Sequence, residues 1–386
     1  MNILFLGYVV EPATLDKYKE ISIAGNKMQV NYLKQFSSFA NVDAISIPPI
    51  AMFPKNRKIK LQKREFRVDK VNVIQIPILN IFPFKQLFQM SLVYKYARKM
   101  TKEKEYDYVV TFNSYEDTFF ACKKLNKTKG IKIISIIADM PDNPRFFKSK
   151  ILTFIYDRVS KKNVDNVYKS DYLIAINEEI LRRFDSKGNN CVIYGGINDE
   201  EVIDFDYFEP NDKTIVYTGA LTDYSGILEL IGAVELMNSD VLLHIYGEGP
   251  LEEKVKSLCN DKIKYHGRVS NDEAIRAQIN ATILVNPRRL DDEISSFTFP
   301  SKMFEYINSN TPVVSTMLKC YPKDIVDSIY VVRESSSKDL ANVIDYVLNL
   351  SFEQRKEKAY EAKKTLLNYR WSLQSNKIQE MLGKKI

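Results

Sequence analysis

Strand-like patterns alternate with helix-like patterns along the whole chain of 386 residues. Apolar runs rich in β-branched residues lie at 3–9, 42–47, 71–77, 107–112, 131–138, 171–176 and 191–194. After Gly195-Gly196 the alternation starts again, with runs at 214–218, 240–246, 262–266, 281–286, 311–315 and 329–332. Alternation of this kind indicates parallel α/β sheets with helices on both faces. We therefore predict an α/β protein of two doubly wound lobes that face each other across a cleft.

The restart of the pattern also predicts where the first lobe ends. Residues 199–213 are rich in acidic residues and poor in strand signal, which is typical of a linker. A chain of 386 residues exceeds the usual size of one domain, about 100–200 residues. We predict an N-terminal domain at 1–198, a hinge near 197–212, and a C-terminal domain at 199–368.

Charge is divided unevenly between the two halves of the chain. The formal net charge is +7, but residues 1–196 hold 33 basic and 19 acidic residues, a net +14, whereas the rest has a net −7. A basic first lobe indicates an anionic partner, either nucleic acid or an anionic membrane surface, unless it is an ordinary surface imbalance. No nucleic-acid-binding motif accompanies the charge, so we favour the membrane.

The cysteines and histidines argue against several kinds of site. Four cysteines lie far apart without metal-ligand spacing, so free thiols in a reducing compartment are expected. With only two histidines, His244 and His266, neither a His-built metal site nor a Ser-His-Asp triad is expected. Met1–Val10 is short and lacks a basic lead-in, which indicates a buried first strand rather than a signal peptide. No run reaches ~18 apolar residues, so no membrane-spanning helix is expected.

Residues 297–316 combine the features of an anion site. Pro300 fits the first turn of a helix, where its missing N–H is not needed. A helix start provides unpaired N–H groups and a positive dipole end, and Lys302 adds a full positive charge. Glu305 supplies a carboxylate that accepts hydrogen bonds from hydroxyl groups. A site for a sugar nucleotide requires hydrogen-bond donors for the phosphates, a cation, and a carboxylate for the hydroxyl groups. An amphipathic helix before a buried strand is the alternative interpretation.

The run Pro300-Ser301-Lys302, then Glu305-Tyr306 and Pro312-Val313-Val314, resembles the donor-site segment of retaining glycosyltransferases of family 4, which have the GT-B fold. That family often carries two glutamates eight residues apart. Glu305 matches the second, whereas Phe297 occupies the position of the first. The resemblance implies catalytic roles for Lys302 and Glu305. It also implies that a final helix at 369–386 crosses back to the N-terminal domain.

Three further turns resemble donor-binding turns of the same family; they contain Gly219, Gly247-Glu248-Gly249 and Arg268-Val269. Gly219 and the run Gly247-Glu248-Gly249 each follow a strand, where glycine lets the backbone approach a phosphate or nucleotide. For Gly219, a plain strand-to-helix turn is an equal interpretation. Because Ala220 and Ser225 replace the family's loop cations, we expect arginines and Lys302 to neutralise the phosphates. The predicted donor-binding residues are Gly219, Gly247, Glu248, Gly249, Arg268, Val269, Arg288, Ser301, Lys302 and Glu305.

In this fold the first lobe usually binds the acceptor. Gly25 and Asn26 resemble the family's small-residue loop at the cleft. Asn113 and Asp139 each follow a strand, where ligands of open α/β sheets bind, although a simple turn cap is the alternative for Asp139. We predict that all four residues bind the acceptor and that Asp139 also has a catalytic role.

Two stretches of the first lobe predict contact with a membrane. Residues 53–70 hold eight basic side chains, and residues 145–162 interleave aromatic and aliphatic residues with lysines and arginines. Basic amphipathic segments with aromatic residues are typical of interfacial binding. For 145–162, a helix packed on the sheet with a solvated face is the alternative.

These features predict a metal-independent retaining glycosyltransferase that uses a nucleotide-sugar and needs no cofactor. The expected acceptor is a free or lipid-linked saccharide, in capsule, exopolysaccharide or other cell-surface glycan synthesis, and the expected location is cytoplasmic, peripheral on the inner face of the membrane. The only Asp-x-Asp, at 204–206, lies in the linker and away from the donor motifs. Two alternatives stay open: a non-catalytic GT-B subunit that activates a transferase, which Phe297 favours, and a sugar-nucleotide epimerase, which the shortage of histidine disfavours.

Overall fold

The computed structural model of the protein describes residues 1–17, 22–82, 84–142, 150–184, 187–203, 207, 210 and 213–383. The chain divides into two units, one formed by Met1–Gly195 with Trp371–Ile386 and the other by Gly196–Arg370. The sequence had placed these boundaries at 198 and 368, a few residues from where the chain passes between the units.

The first unit is built on one large sheet. Its strands are β1 (Asn2–Gly7), β2 (Asn41–Ser46), β3 (Lys60–Leu61), β4 (Arg64–Val68), β5 (Val71–Gln75), β6 (Ile78–Leu79), β7 (Tyr108–Phe112), β8 (Lys132–Ile137), β9 (Tyr172–Ala175) and β10 (Asn190–Val192). Eight of them lie in the order β10-β9-β8-β7-β1-β2-β5-β4, and β3 pairs separately with β6. All pairs in the eight-stranded sheet are parallel except β4 with β5. Each of the seven strand runs expected in this half coincides with one of these strands and is confirmed.

Strand β4 was not predicted, because its residues lie within the basic stretch 53–70. Asp69 has a φ of 51° and, with Lys70, turns the chain between β4 and β5. The valines on either side of this turn are buried, which sets the register of the hairpin. β4 is an edge strand, and its exposed charged side chains disfavour pairing with another chain.

Five helices connect these strands: α1 (Ile23–Phe39), α2 (Phe84–Glu103), α3 (Glu116–Lys129), α4 (Lys150–Tyr168) and α5 (Glu178–Phe184). Each begins near the carboxyl edge of the sheet, because it follows a strand and leads back to the start of the next. The apolar side of the sheet, with Leu4, Val109 and Ile133, forms a core with Val93 of α2 and Phe119 of α3. Near-continuous apolar strands of this kind are typical of parallel sheets covered by helices.

The second unit has a six-stranded, fully parallel sheet in the order β13-β12-β11-β14-β15-β16. The strands are β11 (Thr214–Thr218), β12 (Leu242–Tyr246), β13 (Ile263–Gly267), β14 (Ile283–Asn286), β15 (Val313–Thr316) and β16 (Tyr330–Val332). The helices are α6 (Ile227–Leu236), α7 (Glu252–Ser257), α8 (Asn271–Ile279), α9 (Glu293–Phe297), α10 (Lys302–Asn308), α11 (Lys323–Ser328), α12 (Ser337–Leu348) and α13 (Phe352–Leu366). All six strands expected in this half are present, and the predicted α/β fold with a parallel sheet in each lobe is confirmed.

The chain returns to the first unit through its last helix, α14 (Trp371–Met381). Trp371 is buried and packs edge-on against Tyr32 of α1, with ring centroids 5.3 Å apart. The two segments where the chain enters and leaves the second unit are also paired, since the N–H of Ile197 donates to the carbonyl of Tyr369 at 3.2 Å. The second unit thus ends close to where it begins.

Strand order reverses once in each sheet. In the first unit the chain adds β2 on one side of β1 but places β7 and then β8 on the other. In the second unit it adds β12 and β13 on one side of β11, whereas β14 and β15 lie on the other. At such switch points neighbouring connections leave the carboxyl edge in opposite directions and open a crevice, where open α/β sheets bind ligands.

Asn80 ties the start of α2 to the preceding loop. Its buried side-chain amide donates to the carbonyls of Ala51 at 3.0 Å and Lys58 at 3.1 Å, and its backbone N–H donates to Ile59 at 2.7 Å. Residues 51–59 are thereby held against the segment between β6 and α2.

We expect Asn80→Ala to lower the free energy of unfolding by about 1–3 kcal/mol, because the buried amide that donates to two loop carbonyls is lost. Urea denaturation measures the change. The matched control is Asn41→Ala, since the Asn41 amide donates to Asn2 in an exposed position; its effect should stay within about 0.5 kcal/mol. Equal losses for both variants would contradict a structural role for Asn80.

Candidate functional site

The switch point of the second sheet lies between β11 and β14 and collects several predicted donor residues. Gly219 directly follows β11, and Arg288 lies two residues after β14. Residues 247–249 follow β12, the neighbour of β11, and Arg268 and Val269 follow β13. All of these lie at the carboxyl edge of one sheet because its strands are parallel.

The glycines after β11 and β12 are required because their two turns touch. Gly247 has a φ of 142°, and a Cβ at this position would lie 1.8 Å from the carbonyl oxygen of Gly219. The Gly219 N–H donates to Tyr246 at 2.9 Å. At Gly249 a Cβ would lie 2.4 Å from the Leu221 carbonyl oxygen. The sequence predicted glycine here for contact with a nucleotide; the structure adds that the backbone itself leaves no room for a side chain.

Lys302 is directed at the Gly219 turn. Its Nζ lies 4.0 Å from the ring centroid of Tyr217 and 5.7 Å from that of Tyr306. A Cβ placed on Gly219 would be 3.3 Å from the same nitrogen. The Tyr306 hydroxyl accepts a hydrogen bond from the N–H of Thr218 at 2.8 Å and lies 3.1 Å from its carbonyl, to which it donates. These bonds attach α10 to the end of β11 and so position Lys302.

Arg288 brings a second positive charge to the same place. Its guanidinium lies 5.2 Å from the ring centroid of Tyr224, and its Nη1 donates to the carbonyl of Thr298 at 2.6 Å. Burial lowers the pKa of the Lys302 ammonium well below its ordinary value, and the charge of Arg288 lowers it further, while Glu305 partly opposes both. Two cations that repel each other at a glycine turn form a site suited to an anion such as a phosphate.

The remaining donor residues are arranged around this centre. Glu248 and Arg268 form an exposed ion pair at 2.9 Å, so the Arg268 charge is already partly compensated. Val269 follows Arg268 at the end of β13. Ser301 precedes α10 and is exposed, as is Glu305 in the first turn of that helix. The structure therefore brings Gly247 and Lys302 to the Gly219 turn, and the charge of Arg288 acts on Lys302.

The switch point of the first sheet, between β1 and β7, holds two predicted acceptor residues. Asn113 and Ser114 follow β7 with φ values of 59° and 51°. The Asn113 side-chain oxygen accepts from the N–H groups of Ala138 at 2.8 Å and Asp139 at 3.1 Å, and its amide donates to the Asp139 carboxylate at 3.3 Å. Asn113 and Asp139 thus form one unit at the ends of β7 and β8.

Sequence reasoning missed three side chains at this edge. Tyr8 follows β1 and donates a short hydrogen bond to Asp117 in the first turn of α3. Its ring lies edge-on to Tyr115, at 6.0 Å between centroids, and the Tyr115 hydroxyl lies 3.4 Å from the amide of Asn113. Burial raises the pKa of the Asp117 carboxyl. The position of Tyr8 in the sequence could have identified it, because Tyr8 directly follows β1, the strand at which the order of the sheet reverses.

Gly25 and Asn26 shape the loop after β1. The buried Asn26 side chain accepts from the N–H of Val10 at 2.8 Å and donates to its carbonyl at 3.1 Å. The Gly25 N–H donates to the Ser22 hydroxyl at 3.0 Å and caps α1. Contact of Gly25 and Asn26 with an acceptor stays a prediction. Because the Asn26 side chain is bonded to Val10, Asn26 would influence acceptor binding through the shape of this loop.

The described residues contain neither a metal-binding cluster nor a membrane-spanning helix. Among the described residues, no group of three or more His, Cys, Asp or Glu side chains has a metal-binding arrangement. Asp204–Asp206, the Asp-x-Asp noted in the sequence, lies outside these residues. No described helix has both the length and the apolar character needed to cross a membrane.

The depressed pKa of Lys302 predicts how stability depends on pH. Between its folded-state value and the ordinary value of 10.5, the unfolded chain binds the extra proton, so wild-type stability should rise with pH across that window. Lys302→Met should be more stable than wild type near neutral pH, and the difference should shrink toward pH 10.5. Urea denaturation over this range tests it, with exposed Lys254→Met as the control. A pH-independent difference would contradict the depressed pKa.

Comparisons with known proteins bear on the family and the fold. Residues 212–349 match the sequence profile of the family described as "Glycosyl transferases group 1", whereas no curated protein matches the chain. Similar solved structures include lipopolysaccharide outer core galactosyltransferase WaaB in its apo form, with 17% identity, a TM-score of 0.67 and complete coverage of both chains. A second is Anabaena HepE in complex with UDP, with 15% identity and a TM-score of 0.68; the match covers 99% of this chain and 100% of HepE. A third is sucrose-phosphate synthase of Thermosynechococcus elongatus, with 13% identity, a TM-score of 0.68 and 99% coverage of both chains. The fold is therefore the predicted GT-B fold, and the match to the glycosyl transferase group 1 profile lies within the second unit.

Proposed function

We propose that the protein is a retaining glycosyltransferase, akin to family 4, that moves a sugar from a nucleotide-sugar to a saccharide acceptor. The observation that carries the proposal is the Lys302 ammonium at the Gly219 turn, within the field of Arg288 and inside the stretch that matches the glycosyl transferase group 1 profile. Structures of similar fold are described as complexes of HepE with UDP and with UDP-glucose. A nucleoside diphosphate would add negative charge beside these two cations and so relieve their mutual repulsion.

Each donor residue then has a definite role. Lys302 and Arg288 neutralise the diphosphate, with the backbone at Gly219 and Ser301 beside it. Glu305 accepts hydrogen bonds from the ribose hydroxyls. The loops after β12 and β13, with the Glu248–Arg268 pair and Val269, border the base.

The chemistry that the family resemblance implies is substitution on one face of the sugar. The bond between the anomeric carbon and the diphosphate oxygen breaks, the bond to the acceptor oxygen forms, and the acceptor proton passes to the departing phosphate. Charge accumulates on the diphosphate, so preorganised cations accelerate the step. Asp139 accepts a hydrogen bond from the acceptor hydroxyl, and Asn113 holds its carboxylate. No metal ion is required in this scheme.

The acceptor that best suits the charge of the first unit is a saccharide on an anionic lipid diphosphate, presented at the inner face of the cell membrane. Residues 1–196 have a net charge of +14. In the predicted stretch 145–162, Phe154 and Ile155 are exposed and Arg158 lies 4.7 Å from the Phe154 ring centroid; residues 145–149 lie outside the described part of the chain. Capsule, exopolysaccharide and other surface glycan synthesis use acceptors of this kind.

The two other functions make different predictions. A non-catalytic partner subunit, which Phe297 would suit, binds a sugar nucleotide without turning it over. An epimerase needs titratable groups around the sugar, yet His244 and His266 lie on β12 and β13 and hydrogen-bond to each other at 2.9 Å. Turnover by transfer to an added acceptor distinguishes the transferase from both.

Two measurements test the metal requirement: turnover of UDP-sugars by the wild type in excess chelator, and turnover by Lys302→Met in the absence of chelator. We expect full activity with chelator and a loss of about 10²–10³-fold in kcat for Lys302→Met, because a preorganised charge is removed. Lys254→Met serves as the control. Activity that chelator abolishes and Mg²⁺ or Mn²⁺ restores would overturn metal independence, and full turnover by Lys302→Met would remove its catalytic role.

The role of Glu305 is tested by donor affinity. We expect Glu305→Ala to weaken UDP binding by about 1.5–3 kcal/mol, the usual contribution of hydrogen bonds to a charged group. Isothermal calorimetry measures the change, and exposed Glu353→Ala in α13 is the control. A folded Glu305→Ala protein with wild-type affinity would show that the carboxylate does not hold the ribose.

A further inference from the structure

The start of α2 exposes a group of large apolar side chains. Phe82, Phe84 and Leu87 are 61%, 58% and 63% exposed, and Phe53 and Ile59 of the preceding loop are exposed as well. Exposed apolar residues are normally scattered singly, so a local group of them marks a contact surface. Residues 53–60, 81–82 and 84–88 together form a surface that we call the tip surface.

Hydrogen bonds hold the two parts of the tip surface together. The buried Asn80 amide donates to the carbonyls of Ala51 and Lys58, as described above. The Nζ of Lys85 donates to the carbonyl of Ile50 at 2.5 Å, and Lys60 of β3 pairs with Leu79 of β6. The loop and the helix start therefore form one structured surface.

The charges of the tip surface are all positive. Lys55, Arg57, Lys58 and Lys60 are exposed among the apolar side chains. No aspartate or glutamate occurs in residues 44–64 or 70–102. The first turn of α2 also lacks an acidic residue, although the positive end of a helix dipole favours one there. An anionic surface would be attracted to every charged group of this region.

We propose that the tip surface docks the protein on an anionic bilayer, with Phe82, Phe84 and Leu87 inserted between headgroups. Combined apolar burial and cationic attraction is what interfacial membrane binding requires. Nucleic acid would use the charges but would leave exposed aliphatic side chains such as Leu87 unburied. The sequence had assigned this contact to 53–70 and 145–162, and the apolar part of the surface, at the start of α2, was missed.

The tip surface lies at the edge of the sheet that carries the candidate acceptor residues. Residues 47–59 follow β2 and residues 76–82 follow β5, and both strands run parallel to β1 and β7. These segments therefore leave the sheet at the same edge as Asn113 and Asp139. Docking there would bring a lipid-linked saccharide to that edge; this last point rests on the proposed function, whereas docking itself does not.

The test is flotation of the full-length protein with vesicles of phosphatidylcholine and phosphatidylglycerol, against vesicles of phosphatidylcholine alone. We expect binding to the anionic vesicles that weakens as salt is added. Leu87→Ser should lower the partition coefficient by about tenfold or more, since an inserted leucine loses its burial, and Lys58→Ala by about fivefold. Phe82→Trp should show fluorescence quenching by brominated lipids, against the constant background of the buried Trp371.

The matched control is Leu236→Ser in α6, because Leu236 is 61% exposed but lies in the second unit; its binding should equal that of wild type. The proposal is overturned by no binding, by equal binding to neutral vesicles, or by Leu87→Ser that binds as wild type does. A protein that dimerises through this surface and does not bind vesicles would also overturn the proposal. UDP affinity measured on the same variants separates the two proposals, because Leu87→Ser should keep it, and a wild type that floats without binding UDP would refute only the enzymatic function.

Discussion

The reversal of strand order in each parallel sheet is the constraint on which the candidate sites depend. Where all connections proceed in one direction, the segments leaving the strands run side by side over the carboxyl edge. Between β11 and β14, and again between β1 and β7, they diverge and leave the strand ends uncovered. Gly219 and Lys302 meet at the first of these points, and Tyr8 and Asn113 lie at the second. Topology therefore determines which residues lie at the candidate sites before any side-chain chemistry does.

The donor-side crevice is organised at an electrostatic cost. Lys302 is held near Arg288 by the bonds of Tyr306 to Thr218, so the charged form of the lysine is disfavoured. The Tyr217 ring, 4.0 Å from the ammonium, offsets part of this through cation–π attraction. An anion that binds here removes repulsion that the folded protein otherwise bears, so binding and folding stability are coupled. The same positions would be poor choices if stability alone were selected.

Apart from β4, the sequence was sufficient for the strands of the two large sheets and for the glycine turns at Gly219 and Gly247, because apolar runs and glycine turns are local signals. The close fit of Gly247 against Gly219 was not accessible, since it depends on how two turns pack. The same holds for Tyr8 and Asp117, which lie 109 positions apart in the chain and meet only once the sheet has formed. Pairing of Arg268 with Glu248 also arises from adjacent strand ends, and it changes the charge that the sequence had assigned to Arg268.

Helix starts at the carboxyl edge of the first sheet separate into two kinds. α3 and α5 have acidic residues in the first turn, Glu116 and Glu178 among them, where the dipole favours them by about 0.3–1 kcal/mol each. α1, α2 and α4 have none. These same three helices expose large apolar side chains in their first two turns, including Ile23, Phe84 and Phe154. Loss of dipole stabilisation and exposure of apolar area are both unfavourable for an isolated protein. Their coincidence at one edge is consistent with the anionic bilayer that we propose as the partner of the tip surface.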